Sequence, residues 1–135
     1  MPTATEYVYI FVRQDLPIPQ QIVQSNHATY ALASLYGHDG ECMPHIVLIG
    51  VPDREALLRV SEQCAENAIP HYVWNEPDWD YGITAITTGA VTGDKRLVFA
   101  EYPLWKDFSA ISSIGRAGDS NSSGSGFESL MARQV

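Results

Sequence analysis

The sequence predicts an α/β fold in which a mixed four-stranded sheet carries helices on both faces. Three observations support this prediction: a strand–helix–strand start, a nearly continuous apolar run at residues 45–50, and two later strand-like runs that are close together. Strands joined through a helix pair in parallel by right-handed crossovers, whereas closely spaced strands can pair antiparallel. The expected element order is β-α-β-α-β-β-α.

The first half of the chain supplies a strand, a helix and a second strand. Residues 7–12 alternate aromatic and β-branched side chains, which is typical of a strand. Polar residues and two prolines follow, and Pro19 suits the first turn of a helix. We expect this helix to cover residues 20–35 and to stop at Gly37. Residues 45–50, HIVLIG, indicate a central strand covered on both faces.

The second half begins with a helix whose N-cap is Asp53, followed by apolar residues at helical spacing in residues 54–68. Residues 69–74 and 82–91 read as the third and fourth strands. A short last helix is expected in the segment DKRLVFAEYPLW, with Pro103 as its terminator.

Composition divides the 135 residues into one domain, residues 1–108, and a tail, residues 109–135. The tail is rich in Ser and Gly, as in a flexible linker, and ends in a short amphipathic segment. Phe127, Leu130 and Met131 there share one helical face and could dock on another subunit. The alternative is a frayed terminus.

Apolar run length and net charge limit where the protein is expected to reside and what it is expected to bind. The longest apolar runs fall short of the roughly 18 residues that a membrane helix needs, and the start lacks a basic signal region, so we expect a cytoplasmic protein. Sixteen acidic against eight basic residues give a net charge of −8. Such a charge repels a phosphate backbone unless the few cations gather on one face.

The start of the first helix carries the first candidate site. Gln20, Gln24 and His27 lie at i, i+4 and i+7, which places them on one stripe near the turn that carries Arg13 and Asp15. Ligands of open α/β sheets bind beyond the carboxyl ends of parallel strands, where this turn is expected. We therefore expect the stripe to face a cleft. The alternative is that His27 is a core histidine and Asp15 a turn residue.

The segment WNEPDWDYG carries the second candidate site, because Glu76, Asp78 and Asp80 alternate there with tryptophan and tyrosine. Carboxylates that pack against aromatic rings lose solvation, which suits a general acid or base if His27 comes near. The alternative is a solvated acidic loop. The acids lack calcium-loop spacing and the histidines lack zinc spacing, so we predict no metal site.

The segment VRQDL followed by QQIVQSNHA resembles the signature of the archaeal and eukaryotic, or class II, peptidyl-tRNA hydrolases. In that signature a strand ending V-R-x-D-L leads to a helix with K-x-x-x-Q-x-S-H-A. The similarity continues through HIVLIG, DREALLRV and GITAITTGAV and covers residues 6–105. It implies a class II-like fold, a homodimer, and cleavage of the ester that joins a peptide to tRNA without a cofactor.

The resemblance also suggests roles for individual residues. The helix lysine that is thought to be catalytic in the family falls on Gln20, whose amide cannot supply its charge. The family's aspartate falls near Glu76, and a following threonine-bearing loop is largely missing. The candidate catalytic residues are Gln24, His27, Glu76 and Asp78, and the candidate substrate-binding residues are Arg13, Asp15, Gln20, Asn26, Trp79 and Thr84.

These observations lead to one functional hypothesis and two alternatives. The hypothesis is a divergent hydrolase of peptidyl-tRNA or a related aminoacyl ester. The first alternative is a non-catalytic module that binds a small polar or nucleotide-like ligand in the same cleft, with Trp74, Trp79 or Tyr81 stacking on it. The second alternative is an oligomeric scaffold. The expected partners are accordingly a second subunit and either tRNA or a nucleotide-like ligand, with no cofactor.

Overall fold

The computed structural model describes residues 5–36 and 43–107, which form a mixed four-stranded sheet with helices. In chain order the elements are β1 (Tyr7–Arg13), α1 (Ile18–Tyr36), β2 (His45–Val51), α2 (Arg54–Glu66), β3 (His71–Glu76), β4 (Gly82–Thr88) and a 3₁₀ helix (Gly93–Phe99). The predicted α/β class and the predicted element order are confirmed.

The strands lie in the order β2-β1-β4-β3, so the expectation that residues 45–50 form a central strand is wrong: β2 is an edge strand whose first residues are exposed. β1 and β2 are parallel, with Tyr7 opposite His45 and Arg13 opposite Val51. β4 runs antiparallel to both β1 and β3. The long connection through α1 returns the chain to the same end of the sheet, which gives a parallel pair, whereas a short loop joins β3 to β4 as a hairpin.

Helices cover both faces of the sheet because side chains alternate along each strand. On one face Phe11 and Ile86 pack against Leu57 and Val60 of α2 and against Phe99. On the other face Val12 and Ala85 pack against Ala28 of α1, with Leu48, Trp74 and Trp105 beside them. This second face positions the candidate site, because it brings α1 against the β3–β4 hairpin.

The structure confirms some predicted helix signals and corrects others. Pro19 lies in the first turn of α1, and the Asp53 carboxylate accepts a hydrogen bond from the backbone N–H of Ala56 at 3.0 Å, as an N-cap should. The last helix is a 3₁₀ helix that ends at Phe99, before Pro103. β4 ends at Thr88 rather than at residue 91.

Several expectations fall outside the described residues. These are the helix stop at Gly37, His38, and the tail of residues 109–135 with its amphipathic segment. Across residues 5–36 and 43–107, none of the helices combines the length and the apolar character needed to cross a bilayer.

Candidate functional site

The side chain of Gln24 is fully buried between α1 and the β3–β4 hairpin. Its Oε1 accepts hydrogen bonds from Thr84 Oγ1 at 2.8 Å and from Trp74 Nε1 at 3.0 Å. Its Nε2 donates to Gln20 Oε1, one helical turn earlier, at 3.1 Å. Both ends of the amide are therefore satisfied inside the protein, as burial of a polar group requires.

A strand irregularity brings Thr84 into this network. Trp74 lies opposite Ala85 but Asn75 lies opposite Ile83, so Thr84 has no opposite residue on β3. A bulge of this kind leaves one residue unpaired and changes the direction of its side chain. The hydroxyl of Thr84 reaches Gln24 from this bulge.

The expectation that the stripe on α1 faces a cleft is wrong for two of its three residues. Gln20 is 5% exposed and Gln24 is not exposed at all. The polar stripe is instead a buried network that joins α1 to the hairpin. Helical spacing correctly placed the residues on one face, but it carried no information about what covers that face.

His27 differs from the other two residues of the stripe, because it lies on the surface. Its imidazole stacks on the indole of Trp74, with ring centroids 4.9 Å apart and planes 16° apart. His27 is therefore not a core histidine. Offset parallel rings are a favourable arrangement.

Glu76 ends β3 and is 6% exposed. Its Oε2 accepts a hydrogen bond from Trp74 Nε1 at 3.3 Å, and its Oε1 accepts one from the backbone N–H of Asp78 at 3.3 Å. The structure thus brings Gln24, His27 and Glu76 into contact with the same indole. This convergence was left open by the sequence, since residues 24 and 76 are far apart along the chain.

The loop after Glu76 presents aromatic rings to solvent. Trp79 is 59% exposed and lies against Tyr81, with centroids 5.7 Å apart. Trp79 and Asp80 have φ values of 57° and 54°, which is the left-handed region that few non-glycine residues adopt. Asp78 and Asp80 are exposed, so the loop is an acidic rim beside these rings.

Arg13 binds Asp15 and also binds backbone oxygens of Tyr81 and Ile83, where the acidic loop enters β4. The guanidinium donates two hydrogen bonds to the Asp15 carboxylate, at 2.7 and 2.9 Å. Its Nη1 donates to the backbone oxygens of Tyr81 and Ile83 at 2.8 and 3.1 Å. The hydrogen bond with Asp15 raises the pKa of Arg13 above its ordinary value. Asp15 therefore largely neutralises the positive charge of Arg13. The guanidinium holds the hairpin in place through its bonds to the two backbone oxygens.

The last substrate-binding candidate, Asn26, lies at a different place from the other site residues. It is exposed and lines a groove that includes Ile22, Leu48 and Trp105. The indole N–H of Trp105 donates to Gln21 Oε1 at 2.7 Å. Gln21 and Trp105 are not among the site residues predicted from the sequence, because no local pattern pairs two residues so distant in the chain.

Two histidines that the sequence left without a role have structural contacts. His45 stacks on Tyr7, with centroids 5.0 Å apart. His71 Nε2 lies 2.8 Å from Ser61 Oγ, and its Nδ1 lies 3.1 Å from the backbone oxygen of Ile69. Within the described residues, no group of three or more His, Cys, Asp or Glu side chains is arranged to hold a metal ion.

Comparison with models of known protein families and with curated proteins gives no match. Among solved structures, the chain is similar to a protein of unknown function from Agrobacterium tumefaciens strain C58, with a TM-score of 0.59 and 12% sequence identity. The similarity covers 77% of this chain and 100% of that chain. At this level of identity the two proteins share a fold.

Proposed function

We propose that this chain is a non-catalytic binding module, built on a class II peptidyl-tRNA hydrolase-like fold, that holds a small polar or nucleotide-like ligand against exposed rings. We call His27, Trp74, Trp79 and Tyr81 the ring surface. The observation that carries the proposal is the exposed imidazole of His27 stacked on an indole whose N–H is fixed by Gln24 and Glu76. A ring held in this way is preorganised to stack on a flat ligand.

Binding is favoured over catalysis by what the buried amides do. Gln20 stands where the resemblance expects a lysine, and its oxygen accepts from Gln24 in the interior. Gln24 has both ends of its amide engaged by the protein. A catalytic group must reach the reacting atoms of its substrate, whereas Gln24 holds α1 on the hairpin and Gln20 supports Gln24 from within α1.

The charge distribution favours a small ligand over a whole tRNA. The net charge is −8, and Arg13, which lies at the site, is neutralised by Asp15. Binding of a nucleic acid draws most of its free energy from phosphate contacts to free cations. Base stacking, by contrast, needs exposed rings, and within the ring surface His27 and Trp79 are exposed while Trp74 and Tyr81 are half-buried.

The test is a titration of the full chain with adenosine, cytidine and their monophosphates, followed by nuclear magnetic resonance of the indole N–H groups and by thermal shift. We expect shifts of the Trp74 and Trp79 signals and stabilisation by at least one of these compounds. His27→Ala should weaken that binding at least tenfold. Tyr36→Ala is the matched control, because it removes an exposed ring at the far end of α1. The absence of any shift with all four compounds would refute the proposal.

A second candidate function, hydrolysis of peptidyl-tRNA or a related aminoacyl ester, is favoured by a separate observation. The Glu76 carboxylate and the His27 imidazole both contact Trp74, and a carboxylate with an imidazole can act as general base and acid. Purified protein should then release the acyl group from N-acetyl-aminoacyl-tRNA. Glu76→Gln should abolish that release, whereas Asp80→Asn, an exposed acid in the same loop, should leave it unchanged. Equal activity of both variants would exclude this function.

A further inference from the structure

A groove of about 250 Å³ lies between α1 and the segment that follows the 3₁₀ helix. Val12 and Leu48 of the sheet, Ile22 of α1 and Trp105 supply its apolar lining. The volume lies below the roughly 300–1,000 Å³ of pockets that hold cofactors and drug-sized ligands. Its size and lining suit one or two inserted apolar side chains.

The wall of the groove formed by Trp105 is held firmly. The Trp105 backbone N–H donates to the backbone oxygen of Leu48 at 2.9 Å, and its indole N–H donates to Gln21 Oε1 at 2.7 Å. Gln14 Nε2 donates to the backbone oxygen of Lys106 at 2.8 Å. The segment that forms this wall is therefore tied to β2, to α1 and to the residue that follows β1, and the groove is a fixed feature of the surface.

The length and direction of the chain identify an occupant. The part of the chain that the structure describes ends at Asp107, two residues after Trp105. Another 28 residues follow in the sequence. Within these 28 residues, the large apolar side chains at helical spacing are Phe127, Leu130 and Met131, at i, i+3 and i+4. The intervening residues, 112–126, are mainly Ser, Gly and other small residues. A tether of about 20 residues with this composition has an end-to-end distance of roughly 25 Å.

This tether follows Trp105, which forms one wall of the groove, by two residues, so its sequence length limits the distance between the groove and residues 127–131. Short flexible linkers give effective concentrations on the order of millimolar. A second copy of the chain at micromolar concentration is at a disadvantage of roughly a thousandfold in effective concentration. Contact within one chain is therefore favoured over contact between two chains.

We propose that residues 127–131 of the same chain dock on this groove through the apolar face formed by Phe127, Leu130 and Met131, with one or two of these side chains inserted. Apolar residues at this spacing lie on one side of a helical turn, which is the usual way in which an amphipathic segment enters an apolar groove. This contact is separate from the ring surface and does not depend on the proposed ligand.

The test is disulfide formation in the full chain carrying Cys42→Ser, which leaves buried Cys64 as the native thiol. One cysteine is introduced in the tail by Ser129→Cys. Its partner is introduced by Asn26→Cys at the edge of the groove or, as the matched control, by Glu62→Cys on the exposed side of α2. We expect the Asn26→Cys pair to form an intramolecular disulfide at least tenfold faster than the control pair.

A second variant tests the apolar contact directly. Replacement of Phe127, Leu130 and Met131 by serine should reduce the rate for the Asn26→Cys pair to that of the Glu62→Cys pair. Equal rates before this replacement, or rates that it leaves unchanged, would overturn the proposal. Disulfides that join two chains and increase with protein concentration would also overturn it, because they would identify a second copy as the partner.

Discussion

The imidazole of His27 lies parallel to the indole of Trp74, with ring centroids 4.9 Å apart and planes 16° apart. His27 is on the surface, whereas Trp74 is half-buried and anchored at its N–H. The stack is therefore the point at which the buried network of the interior meets solvent. Substitution of the exposed His27 should mainly weaken ligand binding. Substitution of the buried Gln24 should mainly lower the free energy of unfolding.

The first prediction concerns the exposed side of the stack. His27→Ala removes one ring of a surface pair, so the free energy of unfolding should fall by no more than about 1 kcal/mol. Binding of the nucleosides tested above should weaken at the same time. Urea unfolding followed by tryptophan fluorescence measures the first quantity. A stability loss above about 3 kcal/mol would show that the imidazole is part of the core.

The second prediction concerns the buried side. Gln24→Met keeps a side chain of similar length but removes the oxygen that accepts from Thr84 and Trp74. Trp74 keeps Glu76 as an acceptor, whereas Thr84 is left without one. A buried donor left without an acceptor costs about 1–3 kcal/mol, so the variant should lose about 1–3 kcal/mol of stability. Asn26→Met places the same side chain at an exposed position of α1 and is the control. If both variants lost the same amount, hydrogen bonding by Gln24 would not be the reason.

The third prediction concerns the support of the acidic loop. Arg13 binds the Asp15 carboxylate with two nitrogens and also holds the backbone oxygens of Tyr81 and Ile83. Arg13→Lys keeps the charge but loses the planar fork, so fewer of these bonds can form together. Amide hydrogen exchange of residues 78–81 should become about tenfold faster. Arg54→Lys, at an exposed position at the start of α2, should leave it unchanged.

An unchanged exchange rate in Arg13→Lys would contradict this account of the loop. It would mean that the loop keeps its conformation, including the left-handed backbone at Trp79 and Asp80, without the guanidinium. In Arg13→Lys the free energy of unfolding should fall by about 1.5–3 kcal/mol, which is the scale of hydrogen bonds to a charged group.

The fourth prediction is a pH dependence that originates at Cys64. Cys64 lies on the face of α2 that packs on the sheet, and its burial there raises the pKa of the thiol from 9.0 to about 11. The unfolded chain therefore releases this proton at a lower pH than the folded chain does. The thiol contributes no pH dependence below about pH 8, and the free energy of unfolding should fall as pH rises from about 9 to 11.

Cys64→Ala provides the comparison, because tyrosine and lysine also titrate in this range. The difference in unfolding free energy between the parent and the variant should change across this pH interval and stay constant below it. In the folded protein the thiol should also react slowly with maleimides at pH 7, since the thiolate is the reactive form. A pH-independent difference would show that the thiol is not perturbed by burial.

Local patterns of the sequence were sufficient for most of the framework. Alternation in residues 7–12, the cap at Asp53 and Pro19 in the first turn of α1 are decided by neighbours within a few positions. The last helix was less well determined, and its 3₁₀ geometry was not foreseen. The short segment between Gly93 and Phe99 has weak apolar spacing, and packing of Phe99 on Tyr9 and Phe11 decides its form.

Local sequence patterns were enough to predict the element order, the parallel pairing of the two helix-linked strands, and the shared helical face of Gln20, Gln24 and His27. The burial of Gln20 and Gln24 and the exposure of His27 follow from the packing of distant parts of the chain. Helical period fixes which side chains point together, whereas burial depends on what packs over them. Here Trp74 and Thr84, far along the chain, supply the hydrogen bonds that make burial of Gln24 possible.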